Sequence, residues 1–204
     1  MRRVHVALCL MALLVGPGAA QEGAQPGRSF AVPPEGETLR IDRIEDIPPQ
    51  LRAATQRAGC RLDDMLMREY PIEIFRPAAG SRPMALVICE SIVAYSRAFV
   101  FERGTRDEPL LLRFPAVIRP QGFTASEHVG VMNWNAETKT ITATQTTDIC
   151  GAAIARHTYR HDSKVYGSNG FVLVRVESGP VDGCGPNGTE WKVLWEAAPW
   201  VILN

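Results

Sequence analysis

The chain has 204 residues with 22 basic and 22 acidic side chains, so its formal charge at neutral pH is zero. Apolar residues make up 46% and charged residues 22%, a globular composition that excludes a disordered, collagen-like or coiled-coil chain. The balanced charge argues against nucleic acid as the main partner, because there is no basic excess to neutralise phosphates. The length suits one domain.

The first twenty residues have the pattern of an export signal. Two arginines open the chain, residues 4–15 are nearly all apolar, and the small residues Gly18 and Ala20 fit the end of a cleavage site. The apolar run is shorter than the roughly 20 residues that cross a bilayer. We therefore expect a signal peptide over 1–20, cleavage near Ala20, and a periplasmic or secreted mature chain without a membrane span.

Four cysteines remain in the mature chain: Cys60, Cys89, Cys150 and Cys184. An even number of cysteines in an exported chain predicts two disulfides, and four cysteines allow three pairings. No two of them have C-x-x-C spacing, so the spacing supports neither a zinc ribbon nor a thioredoxin-type redox pair. We expect no metal and no cofactor.

A lead rich in Gly, Pro and Glu precedes the domain. Residues 21–38 lack the apolar surface needed to offset the entropy of ordering, so a flexible segment is predicted there and a single β-rich domain over 39–204. A short helix is predicted near the domain start, because Pro48-Pro49 precede QLRAATQRA and Gly59 follows it. Cys60 comes next, so a disulfide there would pin the helix to the sheet.

From Pro71 onward the pattern of apolar residues has a period of two. The predicted strands are Ile72–Phe75, Met84–Cys89, Ser96–Arg103, Leu110–Phe114, Val129–Trp134, Thr138–Thr146, Phe171–Glu177 and Trp191–Trp195. Val172, Val174 and Val176 are expected to share one face of their strand. The fold expected is mainly β, an antiparallel sheet or sandwich of about eight or nine short strands, with one short N-terminal helix and two disulfides.

Two histidines have H-x-x-x-H spacing, at His157 and His161. On a helix they could bind one metal ion, whereas on a strand they would be roughly 13 Å apart, too far to share one ion. The turn-like Asp162-Ser163 that follows favours a strand, with Phe171–Glu177 as its antiparallel partner. One functional alternative is an envelope hydrolase that uses either histidine with Asp148 or Asp162.

Two groups of residues are candidates for a binding surface. Threonines alternate along one predicted strand, so their side chains would project from one face. Such a row is typical of an exposed strand, and it could also bind ice or a glycan. They are Thr138, Thr140, Thr142, Thr144 and Thr146. Trp191 and Trp195, four residues apart, are expected to face the same way, either in the core or as a partner-binding patch.

Several short features occur in order over the last two thirds of the chain. They are Cys89, Ser91 and Ala94-Tyr95; Asp148 and Cys150-Gly151; Asp162 and Gly170–Leu173; Gly183-Cys184-Gly185; and Trp191, Leu194 and Trp195. In this order they resemble the proteobacterial exported family called domain of unknown function 1176. Members of that family are longer and have more cysteines, so the chain is either a single-unit relative or belongs to a sister family. The resemblance implies the pairs Cys60–Cys89 and Cys150–Cys184, and it implies no known activity.

These patterns favour a non-enzymatic module that binds a periplasmic or host protein or an envelope component through a rigid β scaffold. A narrower alternative is a lysozyme-inhibitor-like protein. Residues 91–95, SIVAY, resemble the Ser-Gly-x-x-Tyr loop of one inhibitor family, although the glycine is missing here. Ser91 and Tyr95 are therefore candidate binding residues. The ligand and the oligomeric state stay open at this level.

Overall fold

The computed structural model describes residues 31–34, 36–92, 95–118, 122–146, 153–162, 170–179 and 191–198. At residues 91, 92, 95, 96, 118, 146, 153 and 154 it describes the backbone alone. The predicted signal peptide and most of the predicted lead lie outside the described residues. Cys150, Cys184 and Asp148 also lie outside them.

Two α-helices and a short 3-10 turn at Ile44–Asp46 belong to the first part of the domain. Helix α1 spans Pro49–Arg57, and the amides of Gly59 and Cys60 close its end by bonding the carbonyls of Gln56 and Thr55. Gly59 has φ +76°, the left-handed conformation that this helix ending requires. Helix α2 spans Asp64–Glu69 and is capped by the Asp63 side chain. Within the described part of the chain, no helix is both long and apolar enough to cross a membrane.

Twelve strands occur in the described residues, and every pairing between them is antiparallel. They are β1 Thr38–Ile41, β2 Ile72–Phe75, β3 Met84–Ile92, β4 Tyr95–Arg103, β5 Pro109–Leu111, β6 Phe114–Ile118, β7 Gly122–Ser126, β8 Val131–Asn135, β9 Thr140–Thr146, β10 Ala153–His161, β11 Phe171–Ser178 and β12 Lys192–Glu196. Strands β1–β5 form the front sheet in chain order. Strands β8–β12 form the back sheet in chain order, and β6 with β7 forms a separate two-stranded hairpin.

The front sheet is the middle layer and has a core on each face. On one face, Leu51 of α1 and Met67 of α2 pack with Val87 and Phe101. On the other face, the front sheet packs on the inner face of the back sheet, where the Phe75 and Trp134 rings stack with their centroids 4.3 Å apart. The β6–β7 hairpin extends this second core. The layers are thus helices, front sheet and back sheet.

The prediction of a mainly β, antiparallel fold with a helix after Pro48 is confirmed, whereas the strand and helix counts are wrong. The predicted strand Leu110–Phe114 is divided, since β5 ends at Leu111 and β6 begins at Phe114. Strand β1 has four residues and β7 is mostly exposed, so neither shows a clear alternation. Helix α2 has six residues, fewer than two turns, and therefore no readable helical period.

The expectation that Val172, Val174 and Val176 share a face is also wrong. Thr158 pairs with Arg175 and Tyr159 pairs with Leu173, so Val174 is the extra residue of a β-bulge. The bulge changes the phase of the alternation. The apolar residues of β11 that are buried are therefore Phe171 and Leu173 before the bulge and Val176 after it. Apolar alternation along one strand cannot reveal such a shift.

One disulfide is present among the described residues, between Cys60 and Cys89, with the two Cα atoms 4.9 Å apart. It joins the segment directly after α1 to β3, as the position of Cys60 beside the helix end suggested. Both cysteines are buried. The second predicted pair, Cys150–Cys184, lies outside the described residues.

Candidate functional site

The outer face of the back sheet is a polar surface that the described strands β8–β12 form. Strand register places three rows of side chains across it, together called the outer face. They are Val131, Thr144, Arg156, Glu177 and Val193; Asn133, Thr142, Thr158, Arg175 and Glu196; and Asn135, Thr140, Arg160 and Val172. All of them except Glu177 are exposed or half-buried. Neighbouring strands of a sheet are about 4.8 Å apart, so the side chains of one row lie beside each other.

An ion-pair network lies at one end of the outer face. The Arg156 Nε donates to Glu177 Oε2 at 2.7 Å, and the Arg175 guanidinium lies 3.1 Å from the other carboxylate oxygen. The hydrogen bond from Arg156 holds the pKa of Glu177 below its usual range. The Glu177 side chain is 5% exposed, so both of its oxygens are used inside this network. Two guanidinium groups therefore share one carboxylate.

An aromatic ring completes this network. The Arg156 Cζ lies 4.3 Å from the centroid of the Trp191 ring, within the range of a cation–π interaction. Arg156 is thus held between a carboxylate and an indole, and its head group has little freedom to rearrange. The arrangement presents an immobilised guanidinium and an indole at the surface.

The two candidate tryptophans lie on opposite faces of the back sheet, so the expectation that they face the same way is wrong. Trp195 pairs with Val176, whereas Val193 pairs with Glu177, which makes Leu194 the extra residue of a second bulge. Trp195 packs against the inner core and against Phe123 of β7, with ring centroids 5.8 Å apart. Trp191 belongs to the outer face.

The threonine row is partly on the outer face. Three of the threonines lie on β9 and pair with residues of β8: Thr140 with Asn135, Thr142 with Asn133 and Thr144 with Val131. Thr138 precedes the strand, in the turn where its amide bonds the Asn135 side chain. The Thr146 side chain lies outside what the structure describes. Arginines on β10 interrupt the hydroxyl surface, so the threonines are one part of a mixed polar surface.

The structure places His157 in the core. Its side chain is 0% exposed, and its Nε2 accepts a hydrogen bond from the Val117 amide at 3.0 Å. Burial lowers its pKa, and the ring is stacked beside Tyr159 with centroids 6.3 Å apart. Since no face of this ring is open to solvent, His157 has no access to a substrate in this conformation. Strand β10 is confirmed as the element that carries it.

His161 lies further along the same face, at the end of β10. Its ring packs edge-on against Phe171, with centroids 5.4 Å apart, and burial lowers its pKa, with Lys139 lowering it further. Asp162 raises the same pKa. Among the described residues, no group of three or more His, Cys, Asp or Glu side chains is placed to hold a metal ion. The hydrolase alternative stays a prediction, because Asp148 lies outside the described residues.

Ser91 and Tyr95 belong to the free end of the β3–β4 hairpin. The backbone of Ser91 pairs with Ser96, and that of Ile92 pairs with Tyr95. The side chains of residues 91–96 are not described. A polar cluster lies next to this end of the hairpin. Arg97 donates to the Glu90 carboxylate at 2.8 Å and to the Gly59 carbonyl at 3.2 Å. This cluster ties the hairpin to the end of α1.

Two open depressions of about 240 Å³ each lie on the helix side of the molecule. Asp42, Arg43, Glu45, Asp64 and Arg68 line the first. Gln50, Ala53, Arg57, Arg106, Glu108 and Pro109 line the second. Among the described residues that line these two depressions, there is neither a histidine nor a serine.

Sequence reasoning missed Arg156, Arg175 and Glu177. No local signal could have identified them, because their meeting depends on the antiparallel register of β10 and β11 and on the bulge between them. The pair Arg156–Glu177 is separated by 21 residues along the chain. No protein-family model, no curated protein and no solved structure matches this chain.

Proposed function

We propose that the mature chain is an exported, non-enzymatic binding module and that its outer face binds a protein. The observation that carries the proposal is the Arg156–Glu177–Arg175 network beside Trp191. Trp and Arg are the residues most enriched at the energetically dominant positions of protein interfaces. Here both are held in place before binding, so little side-chain entropy is lost on association.

The rest of the outer face is suited to the same kind of partner. Its threonine and asparagine side chains donate and accept hydrogen bonds, as the polar rim of an interface does. The outer face has three arginines and two glutamates, which gives an excess of one positive charge. They are Arg156, Arg160 and Arg175, and Glu177 and Glu196. A protein with acidic side chains on a flat surface fits this pattern.

Export to the periplasm or to the medium is part of the proposal. It rests on the signal-like residues 1–20, with cleavage near Ala20, and the buried Cys60–Cys89 disulfide is compatible with an oxidising compartment. Membership in the domain of unknown function 1176 family, or in a sister family, is proposed on the order of the sequence features.

The test compares capture of partners by matched variants of residues 21–204. Thr142→Lys places a long charged side chain on the outer face, and Thr124→Lys places the same side chain on the exposed strand β7. We expect a stoichiometric protein, from periplasmic extract or a lysozyme panel, to bind wild type and Thr124→Lys and to be lost with Thr142→Lys. Mass spectrometry identifies the protein.

Two results would contradict the proposal: no stoichiometric protein bound by wild type, or equal capture by both lysine variants. The alternative of a lysozyme inhibitor is distinguished from binding through the outer face by a further pair of substitutions. If lysozyme is captured and Ser91→Ala with Tyr95→Ala abolishes the capture, the end of the β3–β4 hairpin is the binding site and the outer face is not.

A further inference from the structure

The β6–β7 hairpin is attached to the back sheet by two side chains of one strand. The Val117 amide donates to Nε2 of His157 at 3.0 Å, and the Tyr159 hydroxyl donates to the Pro115 carbonyl at 2.8 Å. Among the described residues, the hairpin forms its own two-stranded sheet and its strands pair only with each other. These two hydrogen bonds join the hairpin to β10, and its side chains Phe114, Ala116 and Val117 pack in the core beside them.

The hydrogen bond from Val117 determines the protonation state of His157. An N–H donor requires a lone pair on Nε2, so the ring is neutral and its proton is on Nδ1. Nδ1 is buried and has no hydrogen-bond partner among the described residues. A second proton would remove the Val117 bond and leave a charged ring in the apolar core without a counter-charge.

The groups around His157 are almost all apolar. Its pairing partners are Ala143 on β9 and Val176 on β11, and Val117 faces it from β6. The neighbouring titratable group is the Tyr159 phenol, whose pKa burial raises far above its usual value, so it stays neutral. Among the described residues, no charged side chain contributes to the lowered pKa of His157. Lys139 and Asp162 act on His161.

We propose that the β6–β7 hairpin is an acid-released clasp, with His157 as the group that releases it. Protonation of the ring breaks the bond to Val117 and expels the ring from the core, which frees β6. A two-stranded hairpin alone is marginally stable in water, so its internal pairs open with it. Opening uncovers the inner face of the back sheet beside Tyr159 and separates Phe123 from Trp195.

The sign of the effect follows from the direction of the pKa shift. The open state binds the proton with the ordinary pKa of histidine, about 6.5, and the closed state binds it only at lower pH. The open state is therefore favoured as pH falls below about 6.5, and its equilibrium constant rises by up to about tenfold per pH unit until the closed form is itself protonated. This proposal does not depend on the outer face or its partner.

Hydrogen exchange of the full mature chain, read as protection factors that correct for the intrinsic rate, tests the clasp between about pH 7.5 and about pH 5. We expect protection over 114–118 and 122–126 to fall below about pH 6.5 by up to about tenfold per unit, while β3 and β4 keep theirs. In His157→Gln, whose amide oxygen can accept from Val117 without titrating, protection should depend on pH much less than in wild type. The control His161→Gln should behave as wild type.

Three outcomes would overturn the clasp: constant protection over 114–118 and 122–126 in wild type, simultaneous loss of protection in every strand, or an unchanged pH dependence in His157→Gln. The first two need no variant, so the test stands if His157→Gln fails to fold. Tyr159→Phe provides a further check, because it removes the second attachment without a titrating group. In this variant, protection over 114–118 and 122–126 should be lower at every pH, with the wild-type pH dependence.

Discussion

Arg156 and Glu177 face each other across β10 and β11, and the Arg156 Nε donates to a Glu177 side chain that is only 5% exposed. A carboxylate covered to this degree depends on its partners, because an unpaired charge without solvent is costly. Arg175 supplies a second contact at 3.1 Å. This network therefore serves the stability of the back sheet as well as the chemistry of the outer face.

Replacing Glu177 with Gln should destabilise the protein at neutral pH, because two guanidinium groups then lose their shared counter-charge. We expect a decrease of about 1–2 kcal/mol in the free energy of unfolding. The lowered pKa of Glu177 means that its contribution is fully present above the unfolded value and is lost as pH falls through the folded value. The difference from wild type in urea unfolding should therefore shrink below about pH 4.

A difference between wild type and Glu177→Gln that stays constant down to about pH 3 would contradict this account. Glu196→Gln is the matched control, since Glu196 is exposed and lies next to Arg175 on the edge strand β12. A surface charge of this kind contributes little, so that variant should change the free energy of unfolding by less than about 0.5 kcal/mol.

Truncation of Trp195 should lower stability much more than truncation of Trp191, because a bulge places the two rings on opposite faces of the back sheet. Trp195→Ala removes a side chain packed on the core and should lower the free energy of unfolding by about 2–3 kcal/mol. Trp191→Ala removes a cation–π contact and should cost less than about 1 kcal/mol, while weakening capture of the partner. Urea unfolding and the capture assay separate the two effects; similar losses of stability would place both rings in the core.

The strands that were predicted well are those whose apolar pattern is visible in the local sequence. Strand β2 matches its prediction, β3 extends beyond its predicted end at Cys89 to Ile92, and β4 begins one residue earlier than predicted. The helix at Pro49–Arg57 was predictable because both of its ends carry local signals, a proline and a glycine. These features require no knowledge of what packs against them.

The candidate site was not predictable, because it depends on register and bulges. Arg156 and Glu177 meet only when β10 and β11 pair as they do, and the separation of Trp191 from Trp195 depends on one extra residue, Leu194. The role of His157 likewise depends on Val117, which is 40 residues earlier in the chain. Such contacts are non-local, so composition, spacing and periodicity do not contain them.

Gly130, just before β8, should not tolerate a side chain. It has φ +107°, and a Cβ there would overlap the carbonyl oxygen of Thr144 on the neighbouring strand. Because that obstacle is backbone, Gly130→Ala should lower the free energy of unfolding by about 3 kcal/mol or more. Gly80→Ala is the matched control: its φ is +76° and its Cβ would meet nothing, so about 1 kcal/mol of conformational strain is expected. Equal losses in thermal unfolding would show that backbone conformation alone matters at Gly130.

The Cys60–Cys89 disulfide should stabilise the protein mainly by restricting the unfolded chain. It closes a loop with a sequence separation of 29, for which chain entropy gives about 3–4 kcal/mol. Replacing both cysteines with alanine should lower the free energy of unfolding by that amount. Trp195→Ala, whose loss comes from packing, distinguishes the two causes. Dithiothreitol should destabilise Trp195→Ala more than the double-alanine variant, because only the first still has the Cys60–Cys89 bond to lose. If dithiothreitol leaves wild type as stable as before, the bond contributes nothing under the conditions used.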